Sequence, residues 1–561
     1  MRAQHDDTGF HPVSIEGGST NMNSIVAACR KAIRRTSPAR MLLLLACALL
    51  IQPAIQPSWA ATRDTAALGA MKKATTFMVD KVSYNGGYVW SYLPDMSRRW
   101  GEMEARETMI WIQPPGTASM GHLFLDAYHA TGDEYYYAAA EKVASAIIWG
   151  QLPSGGWNYL VDFAGDRSLQ SWYATVGRNA WRLEEFQHYY GNGTFDDQVS
   201  TDAAKFLLRV YVEKHDPRYK PALDKAIQFV LDSQYPIGGW PQRFPLRHDF
   251  GKQGHEDYTS YITFNDDVAA ENVSFLLECY QILGEQRLLD PIIRGMNSYL
   301  VTQQGAPQPG WSLQHTLDLK PAGARTYEPK SLATHTTASN IGHLMDFYQL
   351  TGESKFLARV PDAIDWLDSL RYPADESHGG YTHPTFVELG TNKPLYVHRR
   401  GSNVTNGMYY IDYENSHLIG HYSSMRRIDT AKLRKRYEEL RAMPVEKATE
   451  GSPLIPAPGR ATLPKFFAEQ YAPVPPEDLA GQVRKSIRAL NSTGYWPAAI
   501  PQISHPYTRD GSDTAAPGDF GNTFVGDETD TSPYKAPDAP IGISTQEYLR
   551  NMNILIKSLR D

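Results

Sequence analysis

The sequence predicts an all-α fold, an (α/α) toroid or barrel of helical hairpins with short irregular β elements at the turns. The first observation is a turn that recurs after one helical stretch following another. It reads Asn85-Gly-Gly-Tyr88, Gln151-Leu-Pro-Ser-Gly-Gly-Trp157, Gln234-Tyr-Pro-Ile-Gly-Gly-Trp240, Gln303-Gln-Gly-Ala-Pro-Gln-Pro-Gly-Trp311, His378-Gly-Gly-Tyr381 and Gly494-Tyr-Trp496. The aromatic positions lie 69, 83, 71, 70 and 115 residues apart. A nearly fixed period with helices between turns marks a repeat architecture. The second observation is apolar spacing of helical period between those turns. It predicts helices over 65–82, 119–131, 134–150, 171–190, 202–213, 218–233, 267–283, 286–303, 335–351 and 354–369, with later ones at 484–491 and 545–559. The third is the hairpin turn itself: Thr131-Gly-Asp-Glu134, Leu283-Gly-Glu-Gln286 and Thr351-Gly-Glu-Ser354. Glycine supplies a left-handed cap, and the following acid favours the start of the next helix.

The N-terminus reads as a targeting segment. Arg34, Arg35 and Arg40 precede the apolar run Met41–Leu50, and small residues follow at Ser58, Ala60 and Ala61. That order is the pattern of a secretory signal, and the run is short for a membrane span. The expected organisation is a signal and extension over 1–61, a toroid over 62–440, and a Pro-rich wrapping loop (Pro444–Glu477) with closing helices over 441–561. Pro501–Pro540 reads as irregular. The expected location is secreted or periplasmic, with no membrane contact after signal removal and a monomeric state.

About 500 residues then remain, more than one compact core usually holds, but stacked repeats evade that limit. Cys29 and Cys47 fall in the removed segment, leaving Cys279 as a core thiol within Phe275-Leu-Leu-Glu-Cys-Tyr280. The formal charge is −7, and losing 1–61 (six Lys/Arg, three Asp/Glu) takes it to −10. An acidic surface argues against nucleic acid as a partner. An acidic polymer would need a local cationic patch or a divalent metal.

The richest segment follows the third aromatic turn: Gly238-Gly-Trp-Pro-Gln-Arg-Phe-Pro245, then Tyr258-Thr-Ser-Tyr-Ile-Thr-Phe-Asn-Asp-Asp267. Gly-Gly-Trp-Pro-Gln followed by Ile-Thr-Phe-Asn-Asp-Asp resembles the family-10 pectate lyases over about Thr65–Tyr422. The resemblance implies a toroid that cleaves pectate, α-1,4-polygalacturonate, by β-elimination with Ca2+ and an arginine base. Asn265, Asp266 and Asp267 offer hard oxygen donors that suit calcium; the plain alternative is a helix cap. Phe386-Val-Glu-Leu-Gly-Thr-Asn-Lys-Pro394 resembles the family segment before its catalytic arginine. That implies Arg399 as base within Val397-His-Arg-Arg-Gly-Ser402, with Arg400 as substitute and His398 binding substrate. Arg325-Thr-Tyr-Glu-Pro-Lys330 resembles another family segment; it suggests Glu328 as a metal oxygen and Lys330 as a uronate contact. Trp240, Gln242, Arg243 and Arg247 complete the expected substrate contacts. Trp157, Trp311 and Tyr381 are further stacking candidates, although aromatics at hairpin turns more often serve packing. His335 and His343 read as core or interface histidines, since nothing completes a zinc set.

The sequence departs from the family pattern at Val268-Ala-Ala270 and at His398-Arg-Arg400, which leaves other uronate polymers open. Competing readings are an isoprenoid cyclase-like toroid, a non-catalytic glycan-binding protein, and a hydrolase of the same shape. Asn265-Asp-Asp267 lacks the Asp-x-Asp-Asp form of the first, and Glu271 falls one residue late for a diphosphate site. Binding without turnover would identify the second, and a product without an unsaturated end the third.

Overall fold

Helices form where apolar periodicity and glycine caps place them. The computed structural model describes residues 65–248, 250–373, 378–455, 478–513 and 524–560. The expected signal, part of Pro444–Glu477 and part of Pro501–Pro540 lie outside the described residues. In chain order the helices are α1 (Thr65–Phe77), α2 (Thr117–Thr131), α3 (Glu134–Trp149), α4 (Asp166–Trp172), α5 (Val199–Lys214), α6 (Lys220–Ser233) and α7 (Val268–Leu283). There follow α8 (Leu289–Thr302), α9 (Thr334–Thr351), α10 (Val360–Ser369), α11 (Thr430–Ala442), α12 (Val445–Ala448), α13 (Leu479–Ala489) and α14 (Thr545–Arg560). Gly132, Gly284 and Gly352 end α2, α7 and α9 in the left-handed conformation, their N–H groups donating to Tyr128, Tyr280 and Tyr348 carbonyls. Asp133 caps α3 by accepting from the Tyr135 N–H.

Hairpin stacks on hairpin. α14 packs on α1, α2 and α13; α2 on α3 and α5; α5 on α3, α6 and α7; α7 on α8; α8 on α9; α9 on α10 and α11. The helices of this helix-rich arrangement therefore follow one another as an arc. Residues 117–127 of α2 are buried without a break, as expected of a helix enclosed on all sides. Asp64–Asp561 forms one compact unit. Cys279 is fully buried and unpaired. Among the described residues no helix is long and apolar enough to cross a membrane.

The recurring turn is a clasp between repeats. Gln151 Nε2 donates to its own turn at Gly155 O (2.9 Å) and to Ala222 O in the first turn of α6 (2.9 Å). Gln234 does the same with Gly238 O (2.9 Å) and Pro291 O of α8 (2.9 Å). Gln303 joins Pro309 O (3.0 Å) and Arg359 O before α10 (3.3 Å). Tyr88 and the tryptophans of these turns then point back into the core. The indole N–H of Trp157, Trp240 and Trp496 donates to Ile147, Val230 and Ser486 carbonyls at 2.8–2.9 Å. The backbone N–H of Tyr88, Trp157 and Trp311 donates to hydroxyls of Thr117, Ser200 and Thr337 in the next inner helix, each at 3.0 Å. Gly238 has φ +107°, and a Cβ there would lie 1.9 Å from the Arg294 carbonyl, which is why the turn carries glycine.

One expected helix is corrected, and two elements were not foreseen. The helix expected over 171–190 stops after α4 and a π turn (Tyr173–Gly177), and the chain runs irregularly beyond Arg178 apart from a 3-10 turn, Glu184–Phe186. Its polar backbone finds tertiary partners: Asn179 O accepts from Thr531 N, and Trp181 N donates to Asp530 Oδ1 (3.1 Å). These outweigh local propensity. Helix α11, capped by Asp429, was not expected, since its mostly polar sequence lacks a clear apolar stripe. The cluster 397–402 lies mostly on a strand, Pro394–Arg400, paired antiparallel with Met408–Asp412 in the register Arg399↔Tyr409.

Trp240→Phe removes the indole N–H from a fully buried site. It should lower the unfolding free energy by about 1–3 kcal/mol in a denaturant titration; an unchanged midpoint would mean that the clasp contributes nothing.

Candidate active site

The site grows from a turn used twice. Thr194-Phe-Asp-Asp-Gln198 precedes α5, and Thr263-Phe-Asn-Asp-Asp267 precedes α7, 69 residues later. Both turns place two successive non-glycine residues in the left-handed region: Asp197 and Gln198 (φ 47° and 63°), then Asp266 and Asp267 (φ 51° and 55°). Asp tolerates that region better than most residues, and such conformations concentrate at functional sites. The two turns touch each other. Asp266 and Asp267 open onto a cavity of about 290 Å³, which Asn265, Arg325, Glu328, His335, Tyr422 and Arg426 also line. A larger depression, about 820 Å³ beside Lys72, Lys73 and Phe77, carries a single acid, Asp80, and no comparable cluster.

Behind the cavity, acids surround one arginine. Arg325 donates from Nη2 to Asp196 Oδ2 (2.9 Å), from Nε to Glu185 Oε2 (3.2 Å) and from Nη1 to Glu328 Oε1 (3.2 Å). Burial alone would lower its pKa, but Glu328, Glu185 and Asp196 hold it well above the usual range. One cation does not balance this many acids. Burial, with Asp196 beside it, pushes the Asp197 carboxyl up to about 7. Burial together with Asp197 and Asp196 drives Asp266 well above the ordinary carboxylate range, although the carboxyl opens onto the cavity. Glu102 is raised likewise by burial, Glu185 and Asp197. Gln113 Nε2 bridges Glu102 Oε2 (2.8 Å) and Asp197 Oδ2 (2.6 Å). Asp196 goes the other way: burial raises it, but Arg325 and its hydrogen bonds outweigh that. Asp196 Oδ1 is buried with no hydrogen-bond partner.

Of the residues expected from sequence, Asn265, Asp266, Asp267 and Glu328 meet at this cavity. Glu328 is held by Arg325, its Oε2 also accepting the Arg325 backbone N–H (3.0 Å). Asp267 accepts from Ser339 Oγ (2.9 Å) and lies 3.2 Å from His343 Nε2, whose hydrogen bond, with its charge, depresses the Asp267 pKa despite partial burial.

The remaining expected residues lie elsewhere. Arg399 is 2 % exposed, donates from Nη2 to Val525 O (2.9 Å) and stacks over Trp181 at 5.2 Å. Strand alternation puts His398 and Arg400 on the opposite face, both against Tyr410. Trp240 is fully buried and so cannot stack on a sugar; Trp157 and Trp311 are equally enclosed. Gln242 is buried, its side chain facing Gln314. Arg243 is sandwiched between Tyr159 and Tyr190 rings at 5.1 and 4.6 Å. Arg247 is exposed. Lys330 borders a separate cavity with His255 and Glu256.

Sequence reasoning missed Asp196, Asp197, Glu102 and Glu185, and gave no role to Arg325 or Arg426. The repeated Thr-Phe-(Asp/Asn)-Asp turn was the available signal for the first two.

The pectic acid lyase family model matches residues 162–417, the stretch that contains both turns and Arg325. The match makes the protein an enzyme, a polysaccharide lyase similar to pectate lyases. No curated protein matches significantly. Among solved structures, a family 10 polysaccharide lyase from Cellvibrio cellulosa is 18% identical, with 58% of this chain and 89% of that chain covered and a TM-score of 0.34. A mutant of that lyase in complex with trigalacturonic acid is 19% identical, with 59% and 92% covered and a TM-score of 0.33. An α-1,6-mannanase from Salegentibacter sp. HEL1_6 is 12% identical, with 88% and 99% covered and a TM-score of 0.34.

A carboxyl raised by folding makes the folded state less stable as pH climbs from its unfolded value, near 4, through its folded value. For Asp197 that window ends at about 7. Asp197→Asn should therefore raise the melting temperature by a few degrees at pH 8 in chelator, and the gain should vanish below pH ~4. Calorimetric scans across that range decide it; a gain independent of pH would reject charge crowding.

Proposed function

We propose that the protein is a secreted lyase that cleaves pectate by calcium-assisted β-elimination, on a helical arc closed into an (α/α) toroid. The observation that carries this reading is the cavity that sets Asp266 beside Arg325, within the segment matched by the pectic acid lyase family. Elimination requires that the uronate carboxylate be neutralised and that a positioned base remove the neighbouring proton.

The donor chemistry suits calcium. Asp197, Asp266 and the unpartnered Asp196 Oδ1 are hard oxygens, and a divalent cation would relieve the repulsion that raises Asp197 and Asp266. Among the described residues no three His, Cys, Asp or Glu side chains stand ready as a metal cage, so the substrate's own carboxylate completes the set in this proposal. Calcium bound there supplies charge that neutralises the uronate carboxylate and acidifies the adjacent C–H.

Arg325 is the proposed base. Reach comes before pKa in choosing one, and Arg325 borders the cavity whereas Arg399 does not. The glutamates and Asp196 fix its planar fork in one orientation. In the step, Arg325, once its own proton has passed to solvent, takes the proton α to the carboxylate, the C4–O bond breaks, and the new chain end keeps a C4=C5 double bond. The leaving oxygen takes a proton from solvent.

The test is ultraviolet absorbance of Thr62–Asp561 with polygalacturonate. Absorbance should rise with calcium and stop with chelator. A rise that persists in chelator would discard the calcium, and a flat trace with every uronate polymer would discard the lyase. Arg325→Lys retains a charge among the acids but loses the fork; turnover should fall by roughly 10²–10⁴-fold with the circular dichroism unchanged.

A further inference from the structure

The cavity has a second arginine, and it is the one with donors to spare. Arg325 is saturated by Asp196, Glu185 and Glu328. Arg426 borders the same cavity, but among the described residues no acid pairs with it and nothing accepts a hydrogen bond from its guanidinium; its Nε is buried without a partner. An unpaired, partly buried guanidinium is costly to hold, and that cost calls for an explanation.

Its placement is rigid. Met425–Arg426 pairs with His383–Pro384 in the register His383↔Arg426. The Arg426 carbonyl accepts from Thr382 N (2.8 Å) and Thr382 Oγ1 (3.3 Å). The guanidinium lies 5.6 Å from the centre of the Tyr422 ring. Tyr422 is itself stacked on Phe386 at 5.9 Å and packed against Tyr327 at 5.4 Å. A cation on an aromatic platform, with its backbone pinned in a sheet, is preorganised for a planar anion. The same wall carries three acids, Asp266, Asp267 and Glu328, and its other cation, Arg325, is already paired. An acidic ligand entering there needs an unneutralised cation to meet it. On the same cavity, His335 Nδ1 is also buried without a partner. Burial, with Arg426 nearby, lowers the His335 pKa to about 3, so its ring stays neutral and suits a sugar hydroxyl.

We infer that Arg426 binds the carboxylate of a uronate unit in this cavity and makes the enzyme selective for charged over esterified sugar. The inference rests on the lyase reading above. Arg426 lies beyond the segment matched by the family, 162–417, so the match does not assign it.

The test uses the full secreted chain with Arg426→Gln and Arg426→Lys. Steady-state kinetics on polygalacturonate and on partly methyl-esterified polymer are paired with calorimetric binding of trigalacturonate in chelator. Arg426→Gln should raise KM for polygalacturonate about 10- to 100-fold, as expected for a hydrogen bond to a charged group. It should also flatten the preference over the esterified polymer, leave kcat within a few-fold and leave the melting temperature at or above that of the wild type. Arg426→Lys should recover part of the KM loss. An active wild type whose KM and ester preference are untouched by Arg426→Gln overturns the inference and leaves the lyase reading standing. If the wild type turns over no uronate polymer, the lyase reading fails, and binding decides: trigalacturonate affinity lost in Arg426→Gln upholds the carboxylate site, while equal affinity, or none in the wild type, overturns it.

Discussion

The clasp made by one glutamine side chain is the interaction on which the architecture depends. A glutamine amide has two donor hydrogens, and in Gln151, Gln234 and Gln303 one goes to the residue's own turn and the other to the start of the next outer helix. A carbonyl of the turn and a carbonyl at the start of the next outer helix are thereby joined. The tryptophan fills the space beneath, and the glycine lets the turn touch a helix carbonyl. Each repeat is thus registered on its neighbour, and the loops ahead of the inner helices fall beside one another. The tryptophans that look from sequence like sugar platforms, Trp157, Trp240 and Trp311, are used up in this role.

That registration creates the site. The turns before α5 and α7 meet because their helices pack, and both present carboxylates from left-handed backbone. Their charges are not balanced within the protein. Arg325 compensates part of the excess, and the rest is expressed as raised pKa values at Asp197, Asp266 and Glu102. A cation placed there would relieve this repulsion, as the proposed function requires, and replacing one of these acids should stabilise the fold.

Segments beyond the matched region complete the surroundings. Asp530 and Val525 anchor the irregular stretch after α4 and hold Arg399 in the interior. Their partners are 349 and 126 residues away in sequence, so nothing in local spacing announces them. The hydrogen bonds that end the expected helix near Gly177 come from this distant segment. The same distance hid the environment of Arg399: its neighbourhood in sequence is cationic, while its neighbourhood in space is aromatic and carbonyl.

By itself the sequence determined the helical hairpins, their glycine-capped turns, the repeat period and the Asn265-Asp-Asp267 turn. Those depend on local backbone energetics and apolar periodicity, which act over a few residues. The tertiary structure alone decided which arginine faces the acids, which aromatics are enclosed, and that Asp196 and Asp197 join the second turn. Those outcomes depend on burial and on charge pairing in space, and both are set only when repeats far apart in the chain are packed together.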